Sequence, residues 1–342
     1  MLLNSQNQRV AMGFEVQDVE RKALAIMKIL KESDKPLGAR VITRHLKDYG
    51  IELGERAVRY HLKLMDEKGL TRLLGQRDGR ILTEMGAVEV DSALVEDKVG
   101  FAISKIDLLA FRTTFDAEKL SGQVPINISF FPKDKFKRAL DIMRPSFEAG
   151  LAVSDMVAVA PEGEKLGDIT VPRGKTGLAT VCSIIFNGAL LKNGIPVRSR
   201  FGGILQIRNH SPLRFVELID YAGCTLDPAT IFIRARMTSV SEVAKLGEGR
   251  ILANFREIPA QSRVLAEEVI DSLERAGIKG ILVIGDTSEP VCEIPVELGK
   301  NGIVLLVGLN PVAAAEEAGI ESISYSMSTL IDYQELFRFQ EL

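Results

Sequence analysis

Tryptophan is absent from this chain, and cysteine and histidine occur three times each. Cys182, Cys224 and Cys292 stand far apart, which excludes a disulfide framework and suits a reducing compartment, so a cytoplasmic location is expected. His45, His61 and His210 are equally scattered. No Cys/His set has metal-ligand spacing, so a zinc finger or zinc hydrolase is excluded and no metal is expected. The apolar runs stop near ten residues, about half of what a membrane-spanning helix needs. No charged n-region precedes an apolar h-region, so no secretory signal is expected. Gly174-Lys175-Thr176 suggests a phosphate loop, but that motif needs Gly where the chain has Ile169, which argues against an NTPase.

What is present is ample core material: 342 residues, 46% of them apolar, enough for two domains. The net charge of −3 is unevenly shared. Residues 1–90 carry 16 Lys and Arg against 13 Asp and Glu, and the rest carry 27 against 33. A mildly basic front on an acidic body hints at a nucleic-acid module.

The front has helical periodicity in three places. Residues 1–17 are irregular and expected to be a mobile tail. Val19, Ala23, Ile26, Met27 and Leu30 then mark one helical face. A second helix is predicted from Ala39 to Tyr49, closed by Gly50, and a third from Gly54 to Gly69 with Val58, Leu62 and Met65 inward. Two short apolar runs follow, at 70–74 and 80–83, around Asp78-Gly79, a hairpin signal. Three helices and a hairpin make a winged helix-turn-helix over 18–86. Arg56, Arg59, Tyr60 and Lys63 project from the third helix, Arg44 from the second, and Arg77 and Arg80 from the wing. Arg suits guanine edges, and Lys and Tyr suit phosphates. These seven residues are the expected DNA contacts.

A connector over 87–111 leads to a body at 112–342 that repeats internally. Asn127-Ile-Ser-Phe-Phe-Pro132 is echoed by Asn254-Phe-Arg-Glu-Ile-Pro259, and Ala149-Gly150 by Ala276-Gly277, both 127 residues on. Gly203 to Pro212 also matches Gly302 to Pro311, at an offset of 99, which predicts about 28 extra residues in the first copy between Ala160 and Ile195. Each copy reads as an α/β unit, with repeats at about 112–225 and 236–330. The predicted class is therefore α/β, α+β overall: a winged helix followed by an internally duplicated α/β domain whose halves leave a ligand cleft. Polar groups for that cleft are Thr180, Cys182 and Ser183 at the start of an apolar segment, Asn254 and Arg256 in the second repeat, Arg200 before Gly202-Gly203, and Asn310 at a strand-to-helix junction. Cys182 lacks a visible histidine partner, so a buried inert thiol is expected.

Several strings carry a resemblance: Thr180-Val-Cys-Ser183, Asn187-Gly-Ala-Leu-Leu191, Gly194-Ile-Pro196, Phe201-Gly-Gly203, Ile219-Asp-Tyr221, Asn254-Phe-Arg-Glu-Ile-Pro-Ala260 and Gly308-Leu-Asn-Pro-Val-Ala-Ala314. The body resembles the regulatory domain of the NrpR family of archaeal nitrogen-assimilation repressors, and the front resembles that family's winged helix, related to the one in ribonuclease R. The resemblance covers roughly residues 20–335. It implies a repressor without enzymatic activity or cofactor. It further implies a homodimer on an inverted-repeat double-stranded DNA operator, released when 2-oxoglutarate binds the regulatory domain. It also implies a partnership with a second regulatory-domain protein of the same family, because some members carry two such domains. The competing classes are an α/β enzyme with an accessory winged helix and a winged-helix protein-docking module. Turnover of 2-oxoglutarate or related acids would mark the first, and nucleic-acid binding without salt dependence the second.

Overall fold

The computed structural model describes residues 21–33, 35–75, 79–92 and 100–342, so the expected tail at 1–17 and Arg77 lie outside the described residues. The chain divides into two compact units, Met1–Lys105 and Ile106–Leu342.

In the first unit, residues 21–31 are helical (α1), followed by α2 (Ala39–Lys47), α3 (Glu55–Glu67), the hairpin strands β1 (Thr71–Gly75) and β2 (Gly79–Leu82), and α4 (Glu84–Ser92). This is the expected winged helix. Ile26 and Leu30, Ile42 and Leu46, and Val58, Leu62 and Met65 interlock as one apolar core. Phe101 joins them at the first residue of α5 (Phe101–Arg112), edge-on to Tyr49 and under the Lys28 ammonium. The wing is tied to α3 by Asp66, which accepts hydrogen bonds from Thr71 Oγ1 at 2.6 Å and Arg80 Nε at 2.7 Å.

The second unit is built from two halves of matching order. The first runs β3 (Gln123–Pro132), α6 (Phe136–Glu148), β4 (Met156–Ala160), a small ribbon of β5 (Lys165–Leu166) and β6 (Ile169–Thr170), β7 (Lys175–Val181), α7 (Ile184–Lys192) and β8 (Arg198–Arg208). After β9 (Ser211–Asp220), α8 (Pro228–Arg234) and α9 (Val240–Leu246), the second half follows. It consists of β10 (Gly249–Pro259), α10 (Arg263–Arg275), β11 (Ile281–Ile284), β12 (Lys300–Leu306), α11 (Asn310–Glu317) and β13 (Ile323–Asp332), with β14 (Phe337–Arg338) closing the chain.

The last strand of each half belongs to the sheet of the other. One antiparallel sheet has the order β13-β3-β7-β4-β14 and the other β11-β12-β10-β8-β9. The helices also pair across the halves, α6 with α11 and α7 with α10. The duplication is therefore real, but its alignment differs from the expectation. Asn127 faces Thr180 on β7 as Asn254 faces Leu305 on β12, so β12 corresponds to β7. Gly203 and Gly302 lie on strands flanking β10 on opposite sides and are not equivalents. The segments linking β4 to β7 and β11 to β12 are of similar length, so the extra 28 residues do not exist as an insertion there. Glycine and proline mark strand ends wherever they fall, and the match at offset 99 joined two unrelated strand ends.

The halves meet closely at Gly308, in the turn between β12 and α11. A Cβ there would lie 2.1 Å from the Val181 carbonyl oxygen of the first half and 2.7 Å from Asn127 Nδ2. Gly308→Ala is expected to force the halves apart and cost about 1–3 kcal/mol, the usual range for overpacking a filled interior. A urea unfolding midpoint equal to wild type would show that this crossing is not a tight contact.

Candidate functional site

The winged helix supplies one candidate surface. Arg56, Arg59, Tyr60 and Lys63 are all exposed on α3, Tyr60 by 61%, while the opposite face of the helix is buried. Arg44 is exposed on α2. Arg59 pairs with Glu55, and Lys63 Nζ lies 3.9 Å from a Glu67 oxygen, exposed i,i+4 contacts that a phosphate can replace at little cost. Arg80 departs from the expectation. Its guanidinium is engaged by Asp66, because residue 80 faces α3 across the hairpin, so it fastens the wing instead of presenting a free cation. Arg72, exposed on β1, is a wing cation that sequence reasoning did not single out.

The second candidate site lies where β10 passes the start of α7. Alternation along β10 puts Asn254 and Arg256 on one face and Phe255 and Glu257 on the other. Asn254 Nδ2 and Arg256 Nη2 each donate to Ser183 Oγ at 3.0 Å, and Arg256 Nη1 donates to the Ser183 carbonyl at 2.9 Å. The Tyr221 hydroxyl donates to Asn254 Oδ1 at 2.9 Å. Gly202 makes this possible, since a Cβ there would lie 3.1 Å from the Tyr221 oxygen and 2.7 Å from Pro228.

Arg256 is 4% exposed, its Nε has no hydrogen-bond partner, and among the described residues no carboxylate forms an ion pair with it. Burial pulls its pKa down to about 10, against the raising influence of Tyr221 and Cys182. A guanidinium so placed is costly without an anion. It also lies beside the amino end of α7, whose backbone N–H groups add positive potential. One turn along α7, Asn187 Nδ2 donates to Ser199 Oγ at 3.1 Å, while the buried Oδ1 has no partner. Ser199 faces Arg256 across the β8–β10 ladder. The group as a whole can therefore receive an acid: a buried guanidinium, a helix start and neutral amides and hydroxyls.

Of the residues nominated from sequence, Ser183, Asn254 and Arg256 come together, and Cys182 adjoins them. Its thiol is pushed up to about 11 by burial, which fits an inert group. Thr180 lies elsewhere, accepting from Asn127 Nδ2 at 3.4 Å. Arg200 is paired with the buried Glu257 at 2.8 Å and covers the Phe201 ring, because a bulge in β8 turns it toward the other face of β10. Asn310 clamps the Leu252 backbone, accepting from its N–H at 2.8 Å and donating to its carbonyl at 3.0 Å. These last three serve the fold where an effector role was expected. Tyr221 and Asn187 were missed as site residues. The available signal was a lone Asn in an otherwise apolar helix, Ile-Ile-Phe-Asn-Gly-Ala-Leu-Leu.

The pseudo-equivalent place in the other half has no cation. Ser129 stands where Arg256 would and bonds Ser324 at 2.8 Å. Gly308 replaces Ser183, and Asn127 Oδ1 accepts from the Met327 N–H at 3.0 Å. Met327 reaches it through an irregularity in β13, with φ of 49°.

Comparison with known proteins gives concordant results. Residues 99–338 match the family described as NrpR regulatory domains NRD1 and 2, and residues 24–90 match the ribonuclease R winged-helix domain. The chain is 44% identical to the global nitrogen regulator NrpRI of Methanosarcina mazei, over 92% of this chain and 97% of that one. It is 34% identical to the global nitrogen regulator NrpR of Methanococcus maripaludis over 86% of this chain, but spans only 51% of that relative. A crystal structure of a nitrogen repressor-like protein from Methanococcus jannaschii superposes with a TM-score of 0.59 at 27% identity, covering 70% of this chain and 98% of that one.

The buried thiols fix a pH dependence. Cys182 and Cys224 are held up to about 11 from 9.0, so the unfolded chain ionises first and stability falls as pH rises above about 9. Arg256, with its lowered pKa, acts in the opposite sense only above about 10. Urea midpoints measured between pH 8 and 10 should decline, and a flat profile would mean that the thiols are solvated.

Proposed function

The chain belongs to the NrpR family of nitrogen regulators, and from that premise we propose that it is a DNA-binding transcriptional repressor of nitrogen-assimilation promoters, released from its operator by 2-oxoglutarate. The observation that supports the effector most directly is Arg256, a buried guanidinium without an anion beside a helix start. A dicarboxylate satisfies it: one carboxylate takes the free Nε–H and displaces the Ser183 contacts. The pseudo-equivalent place, filled by Met327 and lacking an arginine, takes none, so one effector binds per chain.

The winged helix supplies the operator contacts, with α3 in the major groove. A homodimer matches an inverted repeat. A second family member is the further partner, in keeping with methanococcal relatives of which the chain spans about half. Effector and operator are coupled through α7. Its Gly188 abuts Thr113 and the Ala110 carbonyl, where a Cβ would come within 2.5–2.9 Å, and so seats α5. α5 begins at Phe101, a residue of the first unit's core. A ligand that moves Ser183 therefore moves the seat of α5.

Fluorescence anisotropy on an inverted-repeat fragment tests this at fixed salt, with succinate and glutamate as controls. Millimolar 2-oxoglutarate should weaken binding about 5–150-fold, the usual span of allosteric coupling. Arg56→Ala and Lys63→Ala should each reduce the salt slope by about one unit for every phosphate no longer neutralised. DNA binding that ignores 2-oxoglutarate would sink the effector assignment, and no binding at any salt would sink the repressor assignment. For the site itself, 2-oxoglutarate should raise the melting temperature of the wild type and leave that of Arg256→Met unmoved.

A further inference from the structure

The Arg256 site accounts for carboxylates but leaves one buried group unused. Asn187 Oδ1 is shielded from solvent and has no hydrogen-bond partner, although Nδ2 of the same amide donates to Ser199. A buried amide oxygen without a partner carries the full cost of its desolvation. Its position is informative. Ser183 and Asn187 are four residues apart at the start of α7 and so share a face. Ser183 bonds Arg256, and Ser199, which holds the other end of the Asn187 amide, faces Arg256 across the sheet. Asn187 therefore lies near the guanidinium, one helical turn in from the Ser183 contacts.

We propose that Asn187 is the residue that reads the C2 substituent of the effector, selecting a 2-oxo diacid over the unsubstituted or 2-amino diacid. This rests on the effector reading given above. The Ser199 hydroxyl can accept from Nδ2 or donate to Oδ1, so the amide can turn over without losing its anchor. Turned over, it presents Nδ2 toward Arg256, where it donates to a ketone oxygen, while Oδ1 gains the Ser199 proton it lacks. Both amide atoms are then satisfied. A 2-ammonium group meets the turned amide donor to donor. It can donate to Oδ1 only in the unturned amide, and there it still brings a positive charge beside Arg256 and the helix start.

Isothermal titration calorimetry on the full chain with 2-oxoglutarate, glutarate and glutamate decides the matter. The wild type should bind 2-oxoglutarate about tenfold more tightly than glutarate, the effect of one buried hydrogen bond. Asn187→Leu, of similar volume, should bind those two alike, with glutarate affinity within about twofold of wild type. Asn187→Asp keeps the shape and covers the case in which the leucine variant does not fold. Its carboxylate should abolish the preference for the ketone and shift relative affinity toward glutamate. A 2-oxoglutarate preference that survives in either folded variant overturns the assignment, as does a wild type that binds 2-oxoglutarate and glutarate equally. A wild type that binds none of the three overturns the effector reading and this one together.

Discussion

The exchange of β8 and β13 between the halves is the constraint on which the regulatory unit depends. β3 and β10 are buried along nearly their whole lengths, and each is flanked on one side by a strand from its own half and on the other by a strand from the opposite half. Neither half can satisfy the backbone of its first strand alone, and an unpaired buried N–H or C=O costs roughly as much as a lost hydrogen bond. The two halves must therefore form together. The exchange also carries β8 against β10, where Ser199 faces Arg256, and the turn before α7 is what brings Ser183 to the same place. A ligand bound there touches elements from both halves at once.

Duplication made two equivalent places, and the residues since fixed there have separated their roles. In one, the Asn amide is consumed by the protein's own backbone through Met327, and serines fill the position of the arginine. The bulge that brings Met327 inward puts a non-glycine residue in the left-handed region, a strained conformation of the kind that persists only where surrounding contacts hold it. In the other place the same Asn is used by Tyr221 and Ser183, and the arginine remains without a counter-charge. The contrast argues against reading Arg256 as a scaffold residue. Ser129 shows that this strand position can be built with a small neutral side chain, so the charge is not required by the fold.

Much of this was legible in the sequence for physical reasons. The winged helix follows from helical periodicity in Val58, Leu62 and Met65 and from Asp78-Gly79, signals that depend on neighbours only a few residues away. The duplication could be read from Asn127 and Asn254, because both first strands need the same polar anchor in an apolar run. The exchange of strands could not be read, since period-2 patterning says which face is buried but not which strand lies alongside. For the same reason Arg200 and Arg256 looked alike as charges near strand ends, although a bulge in β8 sends one to Glu257 and alternation sends the other to Ser183. Asn310 was misread because a strand-to-helix Asn serves equally to hold backbone or ligand, and only the proximity of Leu252 distinguishes them.

The proposed effector would act on the second unit at one point. A buried cation is a place where anion binding brings relief, so the free and bound states differ in free energy at one point and not diffusely. Relief at Arg256 alters its hold on Ser183, and Ser183 begins a nine-residue helix that is buried over most of its length. A short rigid helix moves as a body, and Gly188 leaves α5 no side-chain cushion against it.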